Sequence, residues 1–577
     1  MTWEEALADR DDISGYGAEA LGLFGLALRF GIDDLVSVAA DAVTDGQNDK
    51  KIDILYVDST QRAAFLMQCC KKESKFEKSA PANKASDLHT AVAYAFATAE
   101  ENLPEKVKPQ IIFLRNAIRS NDIDTIYIWY VHNRTESDQI SRELNQVELS
   151  AQAHLERNFP ANQCAIFAQE VGRNTLKEWY DRSSSAIIVN DDINFSIDGS
   201  FERRGKNWTC LVTSISGKDL FAIYRKYSKD LFSLNVRDYL GIVKKDANVN
   251  NNIRRSAQET PDLFWSFNNG LTAIVNDYNT NGNHLNIKGI AIVNGAQTTG
   301  AIGNLEIEPS EQLFVPARFF KTLDQSLIDD IIRFNNSQNA IEASDFRSTD
   351  PIQKRLRNEF NRFGGIDYEG GRRGNVSDAI KRRPNLLPSY TVGQALAAFH
   401  GDPVLAYNEK SRIWSDNTPY NKIFNDETDA AHIIFCFSLL RAIEARKKIL
   451  LDKQKQDANS ITRQEAATID YFRQKGSQFL LVYVVSQSME TILSRAIPNH
   501  FRLSFGEVPL TGAMAFWHDI LDVFLSFPDK LAQPLKEGLK SNERAKAAAD
   551  DIRQTLEAIK NFNEKIYSEF ARKIVFR

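Results

Sequence analysis

Clusters of amide side chains mark the ends of apolar runs between Leu263 and Arg347. The stretch reads LFWSFNNGLTAIV, then IKGIAIVNGAQTTGAI, and later FVPARFFKTLDQSLIDDIIRFNNSQNAIEASDFR. The clustered amides are Asn268 and Asn269, then Asn294 and Gln297, then Asn335, Asn336, Gln338 and Asn339. Each cluster lies where an apolar run ends or a helix stops, so three separate segments offer neutral donors and acceptors to what could be one surface.

Two of these clusters contain an Asn-Gly pair, Asn269-Gly270 and Asn294-Gly295. Asn and Gly both tolerate positive φ, and Asn-Gly after an apolar run is therefore a strong hairpin signal. Each pair taken alone is explained by a turn. The three clusters taken together also fit a shared recognition surface.

The same stretch resembles a known family. The segments FWSFNNGLT, IVNGAQTTGA, VPARFF and IIRFNNSQNAIEASDFRSTDPIQKRL are similar, in this order and at this spacing, to the core of the abortive-infection phage-resistance (AIPR) family. The resemblance covers residues 185 to 400 best. It implies a bacterial anti-phage or restriction-linked protein, and it assigns no role to the amides.

The length and composition limit the other possibilities. A chain of 577 residues is too long for one core, and about 150 residues per domain predicts three or four domains. Hydrophobic residues make up 43% and charged residues 25%, as in ordinary soluble globular proteins. The net charge of −5 does not indicate a nucleic-acid-binding molecule as a whole, so any such surface must be local.

The five cysteines are odd in number and contain no CxxC pair, which argues against a disulfide framework and against a zinc ribbon. The first residues, MTWEEALADRDD, lack the apolar segment of a signal peptide. No run approaches the roughly 18 apolar residues of a membrane span. We therefore expect a cytoplasmic protein that does not bind membranes.

The predicted elements of the first 180 residues follow the order helix, three strands, helix, strand. They are a helix over Tyr16 to Phe30, strands over Asp34 to Val43, Ile52 to Val57 and Arg62 to Cys70, a helix over Ala85 to Ala99, and a strand over Thr125 to His132. This order is the skeleton of restriction-endonuclease-like nucleases. Strand-ending His132 is expected to be a hydrogen-bonding group rather than a catalytic base.

Polar residues at particular points of that skeleton suggest a metal-dependent nuclease. Mg²⁺ or Mn²⁺ needs oxygen ligands that converge at a sheet edge, and a lysine beside them would offset the developing charge. DGQNDKKID followed by FLMQCCKK resembles the GxD…QxK arm of the PD-(D/E)xK superfamily. The resemblance implies metal ligands at Asp45 and Asp53, a supporting acid at Glu19, an orienting amide at Gln68 and a charge-stabilising amine at Lys71.

The sequence departs from that pattern at two positions. Lys51 replaces a glycine before Asp53, which removes no ligand. Cys70 stands where the lysine is expected, and a one-residue displacement to Lys71 turns a strand side chain to the opposite face. A β-bulge at Cys69-Cys70 would restore Lys71 to the site. The alternative is a nuclease fold whose active site has decayed.

A local basic region follows the amide clusters. Between Gln353 and Pro384 there are nine basic and four acidic residues, in a helix and in a glycine-rich loop. Such groups suit contact with a phosphate backbone, although a solvated charged face explains them too. Trp265, Phe267, Phe319 and Phe320 are able to stack on bases if they are exposed. The predicted nucleic-acid-binding residues are Asn268, Asn269, Asn294, Gln297, Asn336, Arg347, Arg355, Arg372 and Arg373.

The expected architecture is a multidomain α/β and α+β chain. Residues 1–183 form a restriction-endonuclease-like mixed sheet, residues 184–400 a central α+β domain with the AIPR resemblance, and residues 401–577 an all-helical region. The leading hypothesis is an anti-phage hydrolase that cleaves DNA or RNA and is gated by the central domain. The alternative is a non-catalytic nucleic-acid-binding or phage-sensing protein. A companion defence protein or a second copy of the chain is a further expected partner.

Overall fold

The structure is a computed structural model. It describes residues 2–44, 49–72, 79–162, 164–184, 189–227, 231–232, 244–324, 327–328, 331, 344, 347–348, 350–363, 365–371, 385–535 and 538–576.

The amino-terminal part is a four-stranded mixed sheet with helices on both faces. The strands are β1 (Ile54–Asp58), β2 (Ala63–Cys70), β3 (Thr125–His132) and β4 (Ala165–Val171). They lie in the order β1-β2-β3-β4, and only the β1–β2 pair is antiparallel. The helices are α1 (Trp3–Ala8), α2 (Asp11–Ser14), α3 (Glu19–Phe30), α4 (Leu35–Ala42), α5 (Ala82–Phe96), α6 (Lys108–Arg119), α7 (Asp138–Asn158) and α8 (Arg173–Ser184). Helices α5, α6 and α7 cover one face of the sheet, and α1 to α4 with α8 cover the other.

The first of the three predicted strands is wrong. Residues 35–42 form α4, because Leu35, Val38, Ala39 and Ala42 recur at helical spacing and are all buried. The Asp34 carboxylate caps this helix by accepting a hydrogen bond from the Ser37 backbone N–H at 3.3 Å. At the end of the predicted strand, Val43 forms an isolated antiparallel bridge with Ile54.

The middle part is a six-stranded sheet. Its strands are β5 (Val189–Arg204), β6 (Trp208–Ser216), β7 (Leu271–Ile274), β8 (Asp277–Asn281), β9 (His284–Asn294) and β10 (Phe314–Thr322). The order is β5-β6-β10-β7-β9-β8, and β5 also pairs with β9. Because the first half of the long β5 pairs with β9 and its second half with β6, five of the strands close into a ring around an apolar core.

Among the described residues of this part, four helices accompany the sheet. They are α9 (Gly217–Tyr227), α10 (Lys244–Glu259), α11 (Phe264–Phe267) and α12 (Ala296–Gly303). The short α11 lies between α10 and β7 and contacts β10. The packing of α11 against α10 and β10 determines which side chains of α11 are exposed.

The remainder of the described chain is helical except for two short strand pairs, in agreement with the helical region predicted for residues 401–577. The helices are α13 (Pro351–Phe360), α14 (Ser389–Phe399), α15 (Pro403–Asn408), α16 (Arg412–Ser415), α17 (Asn417–Ile423), α18 (Ala430–Gln456), α19 (Arg463–Arg473), α20 (Ser477–Gln487), α21 (Met489–Leu493), α22 (Leu510–Phe516), α23 (His518–Phe524), α24 (Pro528–Ala532), α25 (Asn542–Ala558) and α26 (Glu564–Ala571). The strand pairs are β11 (Asp367–Tyr368) with β12 (Leu386–Leu387) and β13 (Leu503–Ser504) with β14 (Val575–Phe576). Among the residues that the structure describes, no helix combines the length and the apolar content that crossing a bilayer requires.

A buried ionic network joins the amino-terminal part to the helical region. Arg441 on α18 donates to the Asp34 carboxylate at 2.7 Å and to Glu444 at 2.6 Å. Glu444 accepts a further hydrogen bond from Ser37 Oγ at 2.6 Å, and Thr391 donates to Asp34. The carboxylates and the guanidinium are less than a tenth exposed. Charges removed from water in this way are tolerated only while each remains paired.

A cavity of about 440 Å³ lies beside this network and is lined by residues of both parts, among them Asp33, Asp58, Glu369 and Lys410. Glu369 accepts a hydrogen bond from the Ser389 backbone N–H at 2.8 Å. Burial first, and then the neighbouring Asp33, raise the pKa of Glu369 well above its usual value. The folded protein therefore releases the proton of this carboxyl group less readily than the unfolded chain does.

Replacing Arg441 should destabilise the folded chain strongly. Arg441→Met leaves Asp34 and Glu444 buried without their cation, which costs about 3–5 kcal/mol. The matched control is Arg446→Met on the same helix, because the Arg446–Asp522 ion pair is exposed and such pairs contribute about 0–1 kcal/mol. Thermal and urea unfolding measure both variants. Equal effects of the two substitutions would contradict the role given to the buried network.

Glu369→Gln should stabilise the protein increasingly as the pH rises. Below the unfolded-state pKa of about 4.3 the carboxyl is protonated in both states, so the wild type loses nothing. As the pH rises through the raised folded-state pKa, the unfolded chain releases this proton more readily than the folded chain, and stability is lost. Melting temperatures between about pH 4 and pH 8 test this, with the exposed Glu101→Gln as control. A difference between wild type and Glu369→Gln that does not grow with pH contradicts it.

Candidate functional site

Two of the predicted nuclease carboxylates lie near the same cysteine. Asp53 precedes β1, and its Oδ2 accepts a hydrogen bond from the Cys69 backbone N–H at 2.6 Å. Glu19 is the first residue of α3 and is buried. After burial, the charges of Asp53 and then of Glu19 raise the pKa of the Cys69 thiol well above its usual value. Gly22, one turn after Glu19 on α3, lies against the Cys69 side chain, where a Cβ on Gly22 would be 3.0 Å from Sγ. Glu19 and Asp53 therefore both lie near Cys69, and we call this pair of carboxylates the acidic site.

Gln68 lies on the other face of β2. Its strand neighbours Leu66 and Cys70 pack with α5, α6 and α7, whereas Met67 and Cys69 pack against α3. The Gln68 side chain is only 2% exposed. Its Oε1 has no hydrogen-bond partner among the described residues. The sheet thus separates this amide from Glu19.

The remaining predicted nuclease residues do not complete the site. β2 and β3 pair without a register shift as far as Cys70 and His132, so the described strand contains no bulge at Cys69-Cys70. Lys71 follows the last residue of β2 and is exposed. Asp45 lies outside the described residues. The acidic site therefore consists of two carboxylates, with a lysine just beyond the end of the neighbouring strand.

His132 and Glu170 form a buried pair at the carboxyl ends of β3 and β4. The sequence did not predict this pair. His132 Nε2 lies 2.9 Å from Glu170 Oε1, and Glu170 Oε2 accepts from the Ser137 backbone N–H at 3.1 Å. His132 Nδ1 accepts from the Arg134 N–H at 3.2 Å, which places the imidazole proton on Nε2. Both ring nitrogens are engaged, in agreement with the expected hydrogen-bonding role of His132.

The first two amide clusters meet in the middle part. Thr272 on β7 pairs with Asn294 on β9, and the two Asn-Gly loops lie side by side. A Cβ atom on Gly295, where φ is +94°, would lie 2.6 Å from the Gly270 carbonyl oxygen. A Cβ on Gly270, where φ is +71°, would clash with the Pro316 carbonyl. Only glycine fits this close approach of three strands.

The amides of these loops are differently exposed. Asn268 is half-buried and donates to the Phe264 carbonyl at 3.1 Å, whereas Asn269 is exposed. Asn294 and Gln297 are half-buried. Asn336, with the rest of the third cluster, lies outside the described residues. Two of the three predicted clusters therefore share one place on the surface.

Exposed aromatic rings lie next to these loops. Trp265 is 53% exposed and Phe267 is 62% exposed, whereas Phe319 is fully buried and Phe320 is half-buried. Trp265 Nε1 donates to Ser214 Oγ on β6 at 2.8 Å, which holds the indole in place. We call Trp265, Phe267, Asn268 and Asn269 the aromatic surface. It presents two large rings and an exposed amide from five consecutive residues.

The described arginines of the predicted set contact the protein itself. Arg347 donates to the Trp414 carbonyl at 3.0 Å and to Asn417 Oδ1 at 2.7 Å. Arg355 Nη2 donates to the carbonyl groups of Asn425 and Thr428. Arg372 and Arg373 lie outside the described residues. Arg347 and Arg355 thus anchor α13 and its flank to the helical region.

Residues 232–500 match the family model described as AIPR protein. This AIPR match contains the aromatic surface and both Asn-Gly loops, and it continues through α18 to the region of His500. The four-stranded sheet and the acidic site lie outside it. A search of curated proteins and a search of solved structures found no match.

Proposed function

We propose that this protein is an anti-phage defence protein of the abortive-infection type that recognises nucleic acid through its aromatic surface. The AIPR match supports the defence role, because the resemblance of the same region to the abortive-infection phage-resistance family implies it. The observation that carries the recognition role is the exposure of Trp265 and Phe267 beside the two joined Asn-Gly loops.

The chemistry of this surface suits single-stranded nucleic acid. Every base has a π-face, so stacking on an aromatic ring accepts any sequence and contributes about 1–3 kcal/mol per base. Bases in a single strand are free to leave their stack and reach such rings, whereas bases in a duplex are not. The exposed amide of Asn269 is able to hydrogen-bond a base edge next to the rings. The hydrogen bond of Trp265 to Ser214 reduces the entropy lost when a base binds.

A second candidate activity is phosphodiester cleavage by the amino-terminal part. The proximity of Glu19 and Asp53 favours it, because Mg²⁺ is commonly bound by one or two carboxylates together with waters. A bound Mg²⁺ or Mn²⁺ would polarise the phosphate and activate a water. Exposed Lys71 would offset charge on the phosphate, and Gln68 would take no part. In this proposal the mixed sheet with α3 on one face is a restriction-endonuclease-like fold, and the Arg441 network transmits binding at the AIPR region to it.

Alanine at the two exposed rings should weaken nucleic-acid binding. Each of Trp265→Ala and Phe267→Ala is expected to reduce affinity for a fluorescently labelled single-stranded DNA or RNA by about 5- to 150-fold, the equivalent of one lost stack. Phe562→Ala is the matched control, because Phe562 is 90% exposed in the helical region. Fluorescence anisotropy measures the affinities. Unchanged binding by both ring variants would contradict the recognition role.

Asp53→Asn should abolish any Mg²⁺- or Mn²⁺-dependent cleavage by the purified chain. The neutral amide removes a charged ligand while it retains an oxygen that accepts the Cys69 N–H bond. Gln68→Leu should leave cleavage unchanged, because Gln68 lies on the opposite face of β2. Cleavage of labelled DNA and RNA is followed on gels. Cleavage that survives Asp53→Asn, or that is lost only with Gln68→Leu, contradicts the acidic site. Absence of cleavage by the wild type removes the second candidate alone.

A further inference from the structure

A group of metal-ligating side chains lies in the helical region, far from the acidic site. His400 follows α14, and His432 and Cys436 are four residues apart on one face of α18. The ligand atoms of the three residues all lie within 4.8 Å of one another. His432 and Cys436 are fully buried, and His400 is half-buried.

The hydrogen bonding of His432 fixes which of its nitrogens is available. Its Nδ1 lies 2.8 Å from the Leu503 carbonyl oxygen, which is able only to accept. Nδ1 therefore carries the proton, and Nε2 presents a lone pair. A histidine whose other nitrogen donates to a backbone carbonyl is the usual arrangement of a metal ligand, because that bond sets the tautomer and the ring orientation.

Two further groups face this single lone pair. His400 Nε2 lies 2.9 Å from His432 Nε2, and Cys436 Sγ lies 3.4 Å from the same atom. One lone pair cannot accept two hydrogen bonds well. Hydrogen bonding within the cluster therefore leaves at least one of its polar groups poorly paired. A cation that receives one electron pair from each residue satisfies all three at once.

Neighbouring residues hold the two imidazole rings in place. Phe501 stacks on His400 with ring centroids 3.8 Å apart, and Asp429 caps α18 by accepting from the His432 N–H at 2.7 Å. The side chains are thus oriented by groups outside the cluster.

We propose that His400, His432 and Cys436 bind a zinc ion. Two imidazoles and one thiolate are a donor set that Zn²⁺ prefers, whereas Mg²⁺ and Ca²⁺ prefer oxygen ligands. A water molecule would complete the four-coordinate geometry that Zn²⁺ prefers. The ion would tie the end of α14 to α18 and, through the Leu503 carbonyl, to the β13–β14 pair. Because His432 and Cys436 are fully buried, the bound ion would stabilise the packing of these helices.

Metal analysis of the full chain tests this proposal. The protein is purified without chelator and dialysed first against Zn²⁺ and then against metal-free buffer. Elemental mass spectrometry should then find about one zinc per chain. Cys436→Ser should lose the zinc, while Cys210→Ala, at another buried free cysteine, should retain it. Far-ultraviolet circular dichroism establishes that both variants fold.

A measurement on the wild type removes any dependence on variant folding. Co²⁺ in place of zinc should give a thiolate-to-metal charge-transfer band, and a zinc chelator should lower the melting temperature of the zinc-loaded chain. Absence of bound metal after loading overturns the proposal. So does bound Co²⁺ without the thiolate band, or zinc retained in full by folded Cys436→Ser.

Discussion

The close approach of three strands at Gly270 and Gly295 is the constraint on which the proposed recognition surface depends. Each glycine occupies a left-handed conformation, and a Cβ on either one would overlap the neighbouring backbone. The approach joins the turn before β7 to the turn after β9 and lies against β10. Because only Asn268 and Asn269 separate the end of α11 from Gly270, the same approach fixes the position of α11 and of its exposed rings Trp265 and Phe267. The backbone geometry therefore holds the exposed rings in a defined position.

A buried ionic network connects the amino-terminal part to the helical region. The Asp34–Arg441–Glu444 network joins α4, next to the four-stranded sheet, to α18 within the AIPR match. Breaking it leaves uncompensated buried charges, so the two parts are expected to move together rather than independently. Nearby, Glu369 and Asp33 bring two interacting carboxyl groups together in the lining of the cavity between the same parts. The proposed transmission from the AIPR region to the amino-terminal part runs through these contacts.

Some of these features were predicted from the chemistry of neighbouring residues in the sequence. The Asn-Gly pairs predicted turns because few other residues tolerate positive φ, and the structure places both turns together. Strand β3 has the predicted bounds, Thr125 to His132, because it is one continuous run of β-branched and aromatic residues.

Other features depend on contacts that the sequence does not display. The pattern LVSVAADA suits a buried strand or a buried helix, and the Arg441 partner of Asp34 lies more than 400 residues away along the chain. All eight residues of β2 are buried, so no alternation of polar and apolar residues revealed which face Gln68 occupies. The four-residue spacing of His432 and Cys436 is present in the sequence, but their partner His400 follows a different helix. The cysteine count argued only against a disulfide framework and a zinc ribbon.

Ultraviolet crosslinking of the full chain to a single-stranded oligonucleotide, followed by peptide mass spectrometry, tests the central claim most directly. The account predicts crosslinks concentrated on the peptide that contains Trp265, Phe267 and Asn269, with nothing comparable at the exposed Phe562. Crosslinks confined to other segments of the chain, or none at an oligonucleotide concentration that saturates binding, would contradict it.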